Sequence, residues 1–189
     1  MGSAQEQERL LPVVEALRKE TGIPITIDTV RSDTASAALD AGADAINDIS
    51  AGLLDEGMVP LAAKSRCGLI LMHMQGMPRS MQDDPQYDDA VAVVAAHLAT
   101  RARAAEEAGV DPACIMVDPG IGFGKLLPHN LALLKNLRTV AGNFPLLLGA
   151  SRKSFIAQIG ERTGKSYPPE ARLPGSLAAL ATAFDQSVS

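Results

Sequence analysis

Five short apolar runs in this chain each end in residues that can do chemistry. Ile25-Thr26-Ile27 ends in Asp28, Ala45-Ile46 in Asn47 and Asp48, and Leu69-Ile70-Leu71-Met72 in His73. Ile115-Met116-Val117 ends in Asp118, and Leu146-Leu147-Leu148 in Gly149, with Ser151, Arg152, Lys153 and Ser154 close behind. Asp28, Asn47 and Asp118 bring carboxylate and amide groups without any histidine spacing typical of a metal site. Such a set suits a flat heterocycle with ring N–H and amino donors, because one carboxylate accepts two of them together. A hard cation is the competing ligand. Asp48 follows Asn47 directly, so it points the opposite way along a strand and reads as structural. Alternation also sets Met72 and Met74 on one face and His73 on the other, which makes the methionines the better pocket wall. His97 and His129 read as structural.

Arg152 and Lys153, between two hydroxyls and just after Gly149, suit an anion or a carbonyl. Asp118-Pro119-Gly120 with Gly122 and Gly124 reads as a ligand-anchoring loop, where glycines permit approaches that a Cβ would block. Two phosphate-loop look-alikes fail on spacing. Gly120–Lys125 is GxGxG with Leu126 after the lysine, and Gly160–Ser166 is one residue short and follows no strand. Cys67 and Cys114, each at the start of an apolar run, read as small core residues.

Helical patterns separate the runs. Residues 5–20 carry Leu10, Leu11, Val14 and Leu17 at helical spacing, and residues 33–41 are Ala-rich and stopped by Gly42. Further helices are expected over 57–66, 88–108, 130–140, 154–159 and 175–184, with a long irregular stretch at 75–87. Apolar strands alternating with helices call for a parallel sheet with outer helices, either an open doubly wound sheet or part of a (β/α)₈ barrel. In both, ligands sit beyond the carboxyl ends of the strands. A whole barrel takes about 250 residues and eight strands. About five strands and a leading helix therefore predict an incomplete (β/α)₈ TIM barrel, one domain over residues 1–189, truncated at both ends.

The chain has 189 residues, 47% of them hydrophobic, with no tryptophan and 3% aromatic residues, so its core must be aliphatic. A net charge of -5 argues against nucleic acid as the main partner. No apolar stretch is long enough to cross a membrane, and the polar start MGSAQEQERL shows no signal peptide, so a cytoplasmic protein is expected.

Taken together, these residues resemble dihydropteroate synthase, the folate-pathway family that sulfonamides target. The matching segments are Ile25–Thr29 (ITIDT), Ile46–Ile49 (INDI), Leu71–Gly76 (LMHMQG), Met81-Gln82, Asp118–Lys125 (DPGIGFGK), Gly149–Ser154 (GASRKS) and Arg172–Ala178 (RLPGSLA). They occur in the family's order and span essentially the whole chain. The resemblance implies an enzyme joining 6-hydroxymethyl-7,8-dihydropterin diphosphate to 4-aminobenzoate, with release of diphosphate. It implies that Asp28, Asn47, Asp118 and Lys153 hold the pterin, that Met72 lines the pocket and that Gly149 lies near the ring. Phe123 and Ser154 would border the aminobenzoate site, with Gly122 beside them. Asp28 and Lys153 take the catalytic assignments, Asp28 as the carboxylate that stabilises a cationic pterin methylene. Mg²⁺ would assist diphosphate departure, with no ligand residue assigned, and the parent enzyme would be a homodimer. The family's first two strands, its last strand and their diphosphate-binding residues have no counterpart here, so little turnover is expected from these 189 residues alone. Two other readings stand beside this one: a methyltetrahydrofolate-dependent corrinoid methyltransferase and a non-catalytic pterin-binding remnant. The Ser-Arg-Lys-Ser and MHMQG segments favour the synthase.

Overall fold

A computed structural model describes residues 2–76 and 80–186. It divides into two compact units, residues 1–72 with 100–116, and residues 73–99 with 117–189.

The first unit is built on parallel strands β1 (Thr26–Asp28), β2 (Ala45–Asp48) and β3 (Gly68–Met72). In the sheet they are followed by β4 (Ile115–Asp118), in the order β1-β2-β3-β4. Ile27 and Ile46 pair in register and are buried, as are Leu69 and Leu71, as expected of strands covered on both faces. Helices α1 (Ser3–Glu20), α2 (Ser32–Asp40) and α3 (Met58–Ser65) lie between or before the strands. Helix α4 (Ala90–Glu107) follows the long irregular stretch and returns the chain to β4. Helix α1 buries Val14, while Leu17 stays exposed. Arg18 fastens its end by donating from Nε to Gly42 O at 2.8 Å and pairing with Asp44. Gly42, at φ +110°, turns the chain from α2 toward β2, and a Cβ there would stand 2.7 Å from Arg18 Cγ.

The second unit holds α5 (Leu127–Lys135), α6 (Leu137–Ala141), α7 (Ser154–Arg162) and α8 (Leu173–Asp185). They pack an aliphatic core of Val94, Leu98, Val117, Ile121, Leu133 and Phe155 with their neighbours. Parallel strands with outer helices are the fold class that the apolar runs require, with two differences in detail.

The fifth run, expected as a full strand, makes one parallel bridge, Val117 to Leu146, among the described residues. Pro145 accepts from Val117 N but has no N–H to give, so it cuts the ladder at its start. The single helix expected over 130–140 is split at Asn136, with φ -127° and ψ 34°. The Gln186 amide bridges the break, donating to Leu134 O at 2.7 Å and accepting from Leu137 N at 2.8 Å. Two backbone groups that a continuous helix would satisfy are thus held by one side chain.

Cys67 is buried and Cys114 half-buried, both free thiols, and burial pushes the Cys67 thiol above its usual range. Among the described residues no helix is long and apolar enough to cross a membrane.

Candidate functional site

In the first unit the polar residues gather at the carboxyl ends of β1 and β2. Asp28 and Asn47 are register partners, so they share a face of the sheet, and the Asn47 amide nitrogen donates to Asp28 Oδ1. That bond leaves Asn47 Oδ1 buried with no hydrogen-bond partner among the described residues. The Asp28 side of the site is exposed. Behind it, Thr29 is buried and donates to Glu6 Oε1 at 2.6 Å, and Glu6 Oε2 pairs with Arg31 at 2.5 Å. Glu6 therefore buttresses the end of β1 from α1, although its polar N-terminal surroundings marked it for no role. Asp48 turns the other way, as alternation requires. It is fully buried and accepts from Ser50 N, Ser50 Oγ and Gly52 N at 2.7–2.8 Å, which makes it structural. Met72, the expected pocket wall, is buried at the end of β3.

In the second unit Asp118 ends β4 and opens the glycine loop. Its Oδ1 accepts from Gly120 N at 2.7 Å, and a Cβ added at Gly149 would stand 3.8 Å from its Oδ2. Lys153 lies beside the same loop, with Nζ 4.1 Å from the Phe123 ring centroid and its stem 3.5 Å from where a Gly122 Cβ would be. A cation over an aromatic face is favourable. Burial lowers the Lys153 pKa, against an opposing pull from the Asp118 charge. Ser154 is exposed in the first turn of α7. Arg152 takes the left-handed conformation, φ 51°, rare for a residue with a Cβ. Ser176 Oγ accepts from its N–H at 2.8 Å and Arg172 donates to its carbonyl at 3.1 Å, so two residues of the RLPGSLA segment hold this turn.

Spacing alone undervalued Lys125 and His73. Lys125 is 3% exposed, and its Nζ lies within hydrogen-bond reach of Gly120 O, Phe123 O, His73 O and His73 Nδ1. Turned into its own loop, it is not presented to a phosphate as a phosphate-loop lysine is. Burial lowers the His73 pKa to about 3, with the Lys125 and His97 charges adding to the effect. Burial likewise lowers that of Lys125 to about 7, partly opposed by Asp118. Two residues ahead of α4 reach this loop: Gln82 donates to Gly122 O, and Tyr87 OH donates to Gly124 O at 2.8 Å.

Gly124 is the tightest point. It has φ +61°, and a Cβ there would stand 2.4 Å from Gln75 O, a backbone atom. We expect Gly124→Ala to lower stability by about 2 kcal/mol, from the left-handed backbone and the clash together. Urea denaturation measures it, and an unchanged midpoint would show that the loop can shift to accept the methyl group.

Among the described residues no group of three or more His, Cys, Asp and Glu side chains could hold a metal ion.

A family model described as pterin binding enzyme matches residues 1–189. The dihydropteroate synthase of Synechocystis sp. is 42% identical over 156 residues, which are 82% of this chain and 54% of that protein. The dihydropteroate synthase of Mycobacterium leprae is 43% identical over 170 residues, 88% of this chain and 60% of that protein. The chain therefore spans a little over half the length of these relatives. Among solved structures, the Yersinia pestis dihydropteroate synthase with a sulfonamide drug superposes with a TM-score of 0.91 at 36% identity, covering 100% of this chain and 67% of that one. The Xanthomonas albilineans enzyme with 4-aminobenzoic acid gives 0.87 at 40% identity, covering 98% and 64%.

Proposed function

The chain belongs to the pterin-binding enzyme family, and from that premise we propose that it carries the pterin site of a dihydropteroate synthase. The reaction would join 6-hydroxymethyl-7,8-dihydropterin diphosphate to 4-aminobenzoate. The observation that carries this reading is Asn47 Oδ1, a buried acceptor with no donor of its own among the described residues, beside the exposed carboxylate of Asp28. An unsatisfied buried acceptor costs about 1–3 kcal/mol, and a ring N–H or amino group would remove that cost. The family resemblance also gives Asp118, whose Oδ1 accepts from Gly120 N, a pterin-binding role. Lys153 has only donors and would take an acceptor atom of the ring, while Met72 would close the pocket wall. Gly122, Phe123 and Ser154 would border the aminobenzoate.

In the reaction the bond between the pterin methylene and the diphosphate oxygen breaks, and the diphosphate keeps the electron pair. The aniline nitrogen then bonds to the cationic methylene and loses a proton. Asp28 would stabilise that cation through its charge. A Mg²⁺ ion, where it takes part, is proposed to be held chiefly by substrate oxygens and water, as Mg²⁺ commonly is. The family resemblance further implies a homodimer.

Calorimetry with 6-hydroxymethylpterin tests the reading. Saturable one-to-one binding is expected, and no binding would overturn it. Methyl transfer from methyltetrahydrofolate to a corrinoid by the same protein would point instead to the methyltransferase reading.

A further inference from the structure

Lys125 has four hydrogen-bond contacts and only three hydrogens as an ammonium. Its Nζ lies 3.0 Å from Gly120 O, 2.9 Å from Phe123 O, 3.2 Å from His73 O and 3.0 Å from His73 Nδ1. The two loop carbonyls belong to residues on either side of the turn. Gly120 N–H holds Asp118 Oδ1, and Phe123 N–H closes the turn on Gly120 O at 3.0 Å. One amine thus fixes the loop at the residue that orients the Asp118 carboxylate and at the residue whose ring lies under Lys153.

We propose that Lys125 is the positioning residue of the Asp118–Gly124 loop, tying Gly120 and Phe123 to His73 so that the Asp118 carboxylate and the Phe123 ring are set for ligand. It acts through those groups and touches no ligand itself, since it is almost wholly buried. The ligand part of the proposal rests on the pterin reading; the loop part does not. The groups facing the amine are His73, Asp118 and Lys153, and His73 is packed in turn against His97 at 4.8 Å and Tyr87 at 6.1 Å between ring centroids.

Two measurements on the whole chain test it. The Gly120 and Phe123 carbonyls share peptide units with the nitrogens of Ile121 and Gly124, so a proton gained or lost at Lys125 moves those two ¹⁵N resonances. Both are expected to titrate together near pH 7 in the wild type, and to stay flat in Lys125→Met. Resonances of Ile121 and Gly124 that are the same in Lys125→Met as in the wild type would overturn the proposal. The second measurement is 6-hydroxymethylpterin affinity: Lys125→Met is expected to weaken it at least tenfold, with Lys125→Arg recovering part of the loss. An unchanged Kd in Lys125→Met would also overturn the proposal. If the wild type binds no pterin, the functional reading fails and the comparison of the two resonances alone decides the role of Lys125. If Lys125→Met does not fold, the same measurements on Lys125→Gln decide.

Discussion

Replacing Asp118 by alanine is expected to weaken 6-hydroxymethylpterin binding by about 2–4 kcal/mol, roughly a 30-fold to 1,000-fold rise in Kd. The carboxylate would lose two charge-assisted hydrogen bonds to ring donors, and the donors would be left unpaired. Asp118 also holds Gly120 N–H at 2.7 Å, so part of any loss could come from a disturbed loop. Asp118→Asn separates the two effects. It keeps an oxygen for Gly120, but it turns an amino group toward the ring donors and loses the charge. Binding as weak as in Asp118→Ala, with the Tm of the wild type, would assign the effect to ligand contact. Wild-type affinity in both variants would remove Asp118 from the site.

The second large effect is on stability in mild acid. His73 is 5% exposed and its pKa is lowered from 6.5 to about 3 in the folded chain. The unfolded chain binds the proton first, so the neutral histidine contributes its full stability above pH 6.5 and loses it as pH falls toward 3. Between pH 6.5 and 4 the loss is expected to be about 3 kcal/mol. Asp44 and Asp55 also have lowered pKa values, each chiefly through a backbone N–H, but their contribution fades only below about pH 4. Lys125, lowered to about 7, also changes charge at the top of that range, so comparison with a histidine variant isolates His73. Urea unfolding of the wild type and of His73→Gln at pH 7 and pH 4 measures it. The wild type should lose about 3 kcal/mol more than the variant over that range. Parallel losses would mean that His73 takes up its proton without leaving its contacts.

The strand-end residues were legible because burial and polarity change at a single position: an apolar run must stop where the chain meets water or ligand. The Asn47-Asp48 step shows the rule at its sharpest. One residue shares a face with Asp28 and the next is fully buried among Ser50 and Gly52. The break at Asn136 was not legible, since the group that satisfies it is Gln186, 49 residues away from Leu137. Helical spacing within 130–140 carries no trace of that partner. The shortened fifth strand could have been read from Pro145, which cannot donate to a ladder. The phosphate-loop template, which the spacing around Lys125 fails, asks only what the lysine offers outward. Its partners are carbonyls of its own loop, and three glycines with positive φ (Gly120, Gly122 and Gly124) are the signal that such carbonyls could turn inward. Glu6 escaped notice for a similar reason, because nothing local marks a glutamate that braces Thr29 from a preceding helix.

The central claim is that the polar strand ends take the donor edge of a pterin. A crystal structure of this chain soaked with 6-hydroxymethylpterin tests it most directly. The expected result is a ring with an amino or N–H group within about 3 Å of Asn47 Oδ1. A pterin bound elsewhere, with Asn47 Oδ1 still unpartnered, would contradict the account.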